Sequence, residues 1–185
     1  ELWQVFEVGA IKDEDYDVLP EMGFGPWINM VVNERIGNIM DRIPKEFPKY
    51  KKVAAQRYTD ELGIVNVKDG RSMSGPIEMW CGGRGMAKLF GEDLFDRPEK
   101  VDRVFKIVHE ATLAKYEAEF KSENKPLGLW VATWRGIPSL MSREMFLRYA
   151  WKYFVEYVQL CVDYGVLPVL HLDGCWDQGL DLLRE

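Results

Sequence analysis

The heptapeptide 171-HLDGCWD-177 brings together the side chains best suited to chemistry in this chain. Imidazole, carboxylate and thiolate groups, here from His171, Asp173 and Cys175, are common ligands of zinc. Alternation along an extended strand would point His171 and Asp173 to the same side. A zinc ion held there would act as a Lewis acid and keep a bound thiol deprotonated near neutral pH. The heptapeptide therefore predicts a metal site or an essential polar contact.

A structural interpretation of the same residues stays open. His171 could be a strand-end histidine bonded to the backbone, with Asp173 and Asp177 capping the next helix. The pattern H-x-D-x-C is not a closed zinc motif, so at least one more ligand would have to come from elsewhere in the protein.

Arg135 is the second candidate for chemistry. It follows Thr133 and Trp134 at the end of a predicted strand, where a guanidinium group can hold a carboxylate or phosphate through two hydrogen bonds. The nearby Gly136 and Pro138 favour a loop of fixed shape. The alternative is an arginine that pairs with a neighbouring acid.

Other polar positions carry weaker signals. Arg84 in 82-GGRG-85 lacks the spacing of a phosphate-binding loop, and this glycine cluster predicts a tight, exposed turn. His109 lies within a predicted helix, and we expect it to be partly exposed with no ligand role. Neither the G-x-S-x-G motif of serine hydrolases nor the H-E-x-x-H motif of zinc proteases is present.

The elements that would position these residues alternate along the second half of the chain. Helix, strand, helix, strand and helix in succession are typical of a parallel sheet. Residues 127–133 and 166–172 are short apolar runs typical of strands buried on both faces. We predict that 127–133 and 167–172 are adjacent parallel strands joined by a helix over 143–164. The remaining predicted elements are strands at 64–68 and 76–80, a helix at 98–121 and a helix starting at Asp177.

The first third of the chain has a different pattern. Residues 13–23 and 26–43 predict short helices, broken at prolines and glycines. We therefore expect one domain over 1–185, with a peripheral helical region at 1–62 and β/α units at 63–185. The aromatic residues of the 143–164 helix have the spacing of a packed helix face.

The composition and charge of the chain disfavour several functional classes of protein. Twenty-four basic against 30 acidic residues give a net charge of −6, which disfavours binding to nucleic acid or anionic lipid. No apolar run approaches the ~20 residues of a membrane-spanning helix. Three cysteines without C-x-x-C spacing argue against a secreted disulfide framework and favour the cytoplasm. The first residue is Glu1, and the last residue, Glu185, lies within a predicted helix. These two ends suggest that the chain is an internal fragment.

Three stretches resemble the uroporphyrinogen decarboxylase superfamily. They are the helix start D-L-F-D-R-P-E-K-V within 91–104, the helix F-x-x-Y-x-W-K-Y from Phe146, and the strand G-V-x-P-V-L-H-x-D from Gly165. The resemblance covers roughly residues 75–185, with a weaker likeness at 1–23. Members of this superfamily are TIM barrels, so the resemblance implies an α/β fold, specifically a partial (β/α)8 barrel with a helical N-terminal portion.

The resemblance also implies a choice of activities. The branch it favours moves a methyl group between a corrinoid carried by a partner protein and a thiol or pterin-like small molecule, commonly with zinc. The zinc-dependent thiol methyltransferases of that branch carry H-x-C, completed by a later cysteine. Here His171 matches the histidine, but Asp173 replaces the cysteine, and Cys175 stands two residues further on. His171 and Arg135 are the catalytic candidates that follow.

Two alternatives stay open. One is uroporphyrinogen decarboxylation in tetrapyrrole biosynthesis, which needs no metal. The arginine-bearing motif of that activity is not visible here, and an acidic chain suits a polyanionic substrate poorly. The other is a non-catalytic barrel that binds a corrinoid protein or a small acid, because fold alone does not fix function.

Overall fold

A computed structural model of the chain describes residues 9–37, 46–65, 67 and 71–184. Strands β1 (Ser72–Ser74), β2 (Gly128–Thr133) and β3 (Leu167–Leu172) form a parallel sheet in the order β1-β2-β3. Helices make up most of the rest, so the protein has an α/β fold. The helices are α1 (Asp15–Met22), α2 (Phe24–Met30), α3 (Phe47–Gln56), α4 (Pro76–Arg84), α5 (Met86–Lys88), α6 (Leu94–Asp96), α7 (Pro98–Phe120), α8 (Arg143–Phe146) and α9 (Lys152–Asp163), with wider π-helical turns at Val31–Ile36, Arg57–Glu61, Leu89–Asp93 and Leu147–Trp151.

The strand–helix–strand unit β2–α8–α9–β3 confirms the predicted crossover. The two strands pair in parallel from Gly128 opposite Leu167 to Thr133 opposite Leu172. Ser142 accepts a hydrogen bond from the Met145 backbone N–H at 3.2 Å and so starts the helical connection as its sequence predicts. At the other end Gly165 has a φ of 63°, a left-handed conformation that favours glycine.

Several predicted elements are wrong. Residues 76–80 form the start of α4 instead of a strand, because Pro76 occupies the first helical position, where its missing N–H costs nothing. The 82–85 segment is the end of that helix, not an exposed turn. Residues 64, 65 and 67 belong to no strand, and 66 and 68 lie outside the described residues. After β3 the chain forms short 3-10 turns at Asp177–Gly179 and Leu182–Arg184 instead of an α-helix.

The expected peripheral helical region divides into two parts. Helices α1 and α2 belong to the core, because Trp27 is fully buried and stacks on Trp80 of α4 with ring centroids 5.5 Å apart. Phe105 of α7 then packs edge-on against Trp80. Helix α3, in contrast, has no buried residue. Residues 38–43 of the predicted helix at 26–43 lie outside the described residues.

A buried ion network ties these helices together. The Arg84 guanidinium is almost fully buried and donates to the Asp93 carboxylate at 2.8 and 3.1 Å, and it also pairs with Asp13. Tyr16 donates its hydroxyl to Asp93 at 2.8 Å. Arg84 therefore has a structural role, in agreement with its lack of a phosphate-loop pattern.

Candidate functional site

In the described part of the chain, helices cover one face of the sheet and leave its other face open. Side chains of a strand alternate between the two faces. Met73, Leu129 and Val131 are at most 1% exposed and pack with the helical layer. Trp130 and His171 point to the opposite face, where their rings stack, and both are only partly buried. This open face is the one that can receive a ligand.

His171 and Asp173 meet where β3 ends. The His171 Nε2 atom lies 3.1 Å from Asp173 Oδ1, and about a third of the His171 side chain is exposed. This is an ion-pair distance without hydrogen-bond alignment, and it places the carboxylate where it can stabilise a positive charge on the imidazole. The Trp130 ring stacks on the imidazole at 4.8 Å between centroids and fixes its plane. The result is an oriented imidazole that solvent can reach.

Glu78, in the first turn of α4, holds the loop after β2. Its buried carboxylate accepts the backbone N–H groups of Trp134, Arg135 and Gly136 at 2.8–2.9 Å. A Cβ at Gly136 would lie 2.7 Å from the Ile77 side chain, so this close approach requires glycine. Glu78 thus joins the loop after β1 to the loop after β2. The sequence pattern missed this role because residues 76–80 were interpreted as a strand.

Arg135 projects from the loop that Glu78 holds. Its Nη1 atom lies 3.9 Å from Glu78 Oε2, and its side chain is 41% exposed. Asp173 donates its backbone N–H to the Thr133 carbonyl at 3.2 Å, so the loops bearing Arg135 and His171 leave the sheet side by side. The centroids of the Trp134 and His171 rings lie 6.2 Å apart. A cavity shared by Arg135 and His171 stays a prediction.

The proposed zinc ligands come together only in part. Among the residues that the structure describes, no group of three His, Cys, Asp or Glu side chains is placed to hold a metal ion. His171 and Asp173 are adjacent, but the exposed Cys175 does not complete a set with them. Catalytic zinc needs about three protein ligands. The described donors therefore do not fit zinc by themselves.

His109 contradicts our expectation of a partly exposed helix residue. It is 4% exposed, its Nε2 lies 2.7 Å from Glu156 Oε2, and its ring lies within 5 Å of the rings of Tyr153 and Tyr157. The sequence did contain a signal. Position 109 is four residues after the buried Phe105, which places it on the same helix face.

Comparison of the chain with protein-family models, with curated proteins and with solved structures gave no match. Among the described helices, none is both long enough and apolar enough to cross a lipid bilayer.

Proposed function

We propose that the three-stranded sheet is a sector of a (β/α)8 barrel. Parallel sheets are ordinarily covered on both faces, yet the described helices cover only one face of this sheet. The open face carries Trp130 and His171, and neither outer edge of the sheet pairs with a further strand in the described part of the chain. A barrel supplies the missing strands and makes the open face its interior.

Within that barrel, the protein transfers a methyl group between a corrinoid carried by a partner protein and a thiol or pterin-like small molecule. The observation that carries this proposal is the oriented His171–Asp173 pair at the carboxyl end of β3, on the open face. Barrel enzymes place their reacting groups at this end of their strands. The resemblance in sequence points to the same histidine.

Each of these residues has its own role in the reaction. His171 accepts the proton of the acceptor thiol at its unprotonated ring nitrogen, and Asp173 stabilises the resulting imidazolium charge. The thiolate then forms the carbon–sulfur bond as the methyl group leaves its donor. Arg135, presented by the loop that Glu78 holds, binds an anionic group of the small molecule. Trp130 and Trp134 exclude water from one side of the imidazole.

The experiment uses methylcobalamin as the donor, a panel of small thiols as acceptors and mass spectrometry to detect the methyl thioether. We expect His171→Ala to lower the rate about 100-fold or more, because general base catalysis contributes factors of that size. Asp173→Asn should lower it less. Glu110→Gln, at an exposed position of α7 away from the sheet, is the control and should match the wild type.

Parallel incubations distinguish the alternatives. Conversion of uroporphyrinogen without thioether formation would establish decarboxylation instead. Stoichiometric binding of a corrinoid without turnover of either substrate would establish a non-catalytic barrel. Metal analysis of the same samples tests the zinc expectation. About one zinc per chain, lost in His171→Ala, would mean that a third ligand comes from another part of the protein.

A further inference from the structure

Helix α3 carries basic and aromatic residues on a surface that the rest of the described chain leaves uncovered. No residue of α3 is buried, and Phe47, Tyr50 and Val53 are 51–70% exposed. Lys49 and Lys52 are exposed on the same helix and make no ion pair with the described part of the chain. A helix with apolar and cationic residues exposed together is typical of one that binds a partner.

A groove of complementary character runs between α7 and α9. It has a volume of about 540 Å³. Leu113, Leu160 and Tyr164 supply its apolar lining, and Glu117, Glu156 and Asp163 supply three carboxylates. Lys121 pairs with Glu117 at its edge and His109 contacts Glu156, so three carboxylates face one ammonium group and the groove keeps a net negative charge. A groove of this size can receive an aromatic side chain while its carboxylates contact neighbouring ammonium groups.

We propose that α3 of one copy of this chain binds in the α7–α9 groove of a second copy. The chain carries both halves of a complementary pair, a cationic aromatic helix and an anionic groove with apolar patches. In the described part of the chain, α3 packs mainly on the turn that follows it and does not occupy the groove of its own copy. The chain's net charge of −6 makes a basic helix stand out as a docking element. This inference is independent of the proposed function.

The geometry of such a contact is head to tail. Each copy offers α3 to one neighbour and its groove to another, so the contact generates a closed ring or a growing chain of copies instead of a simple symmetric pair. Because the charged groups are exposed, the association should weaken as salt screens them.

The test is sedimentation analysis of the chain over a range of concentrations. We expect the average mass to rise with concentration at about 0.05 M salt and to fall towards that of a single chain at about 0.5 M salt. Lys49→Glu/Lys52→Glu and Glu117→Lys/Asp163→Lys should each raise the dissociation constant at least about tenfold. Lys49→Arg/Lys52→Arg and the outlying Lys115→Glu are the controls and should associate like the wild type.

Mixing the two charge-reversed variants gives the sharpest outcome. In the mixture an acidic α3 meets a basic groove, and a basic α3 meets an acidic groove, so association should return to near the wild-type strength although each variant alone associates at least about tenfold more weakly. A wild-type chain that stays single at all concentrations overturns the proposal. So does association that survives both reversals, or a mixture that stays dissociated while circular dichroism shows both variants folded. Binding of the wild-type chain to anionic vesicles without self-association would assign α3 to a lipid surface instead.

Discussion

Two histidine–carboxylate pairs use the same chemical groups in opposite surroundings. His109 and Glu156 meet at 2.7 Å in the helical layer, where His109 is 4% exposed and packed between two tyrosine rings. His171 and Asp173 meet at 3.1 Å at the end of β3, where one tryptophan stacks on the imidazole and a third of the side chain stays exposed. The chain contains no other histidine.

The difference shows that pairing with an acid does not define a reactive histidine. The His109 ring fills space between α7 and α9, and its Nδ1 atom is buried without a partner in the described part of the chain. It is a packing element whose contact with Glu156 satisfies one ring nitrogen. His171 has the same kind of partner together with access from outside, and it is therefore the histidine that can meet a substrate.

The largest expected effect separates the two histidines by stability. His109→Ala should lower the free energy of unfolding by about 3 kcal/mol, because it leaves a cavity between Tyr153 and Tyr157. His171→Ala should cost less than about 1 kcal/mol, since the side chain is partly exposed. Urea unfolding of both variants measures the two losses in the free energy of unfolding. Equal losses would erase the distinction that we draw between the pairs.

The second prediction compares two carboxylates near the rim. Glu78→Gln should lower the free energy of unfolding by about 2 kcal/mol, because three backbone N–H groups lose an ionised acceptor and the amide nitrogen would face the Arg135 N–H that Oε2 accepts at 3.2 Å. Asp173→Asn should stay within about 0.5 kcal/mol of the wild type. Guanidinium unfolding curves provide the values. A Glu78→Gln variant as stable as Asp173→Asn would contradict the structural role assigned to Glu78.

The helical layer should also respond to alkaline pH. Burial raises the pKa of the Cys161 thiol to about 11, from 9.0 in the unfolded chain. The unfolded chain therefore loses this proton first, and the contribution of Cys161 to stability, complete below pH 9, falls by about 2 kcal/mol as pH rises towards 11. Burial raises the pKa of Tyr157 in the same direction. Denaturant midpoints between pH 8 and 11 measure the slope, and Cys161→Ala should make it shallower. An unchanged slope in that variant would assign the loss to other groups.

The smallest effect concerns thiol reactivity at native pH. Cys175 is exposed after β3, whereas Cys81 and Cys161 are buried in the helical layer. A thiol reagent should modify Cys175 at least about 100-fold faster than the other two, which must wait for local unfolding. Peptide mass mapping after timed labelling identifies the sites, with Cys175→Ser as the control. Early labelling of Cys161 would indicate that the α7–α9 packing opens readily.

The sequence predicted the parts of the fold in which local pattern and long-range packing agree. Residues 127–133, 167–172 and the helix at 98–121 combine apolar runs or helical spacing with clear breaks, and the structure confirms them. Residues 76–80 failed because they contain enough apolar residues for a strand, while the decisive feature was the proline at the start of α4.

For the candidate site, the sequence could predict which residues follow which strand. It predicted that His171 and Asp173 share a side, and the structure places them in contact. It could not predict the Glu78 contacts, which join positions more than 50 residues apart through a carboxylate and three backbone groups. Such contacts depend on how the sheet brings two loops together, and no local pattern encodes them.

The crossover from β2 to β3 has a consequence for the cooperativity of folding. Gly128 and Leu167 pair across 39 residues, and Trp27 stacks on Trp80 across 53 residues. Loop-closure entropy rises slowly with separation, so the two closures differ by only about 0.3 kcal/mol. Neither closure therefore has a clear entropic lead. The parallel sheet and the packing of α1 and α2 should form together in one cooperative transition.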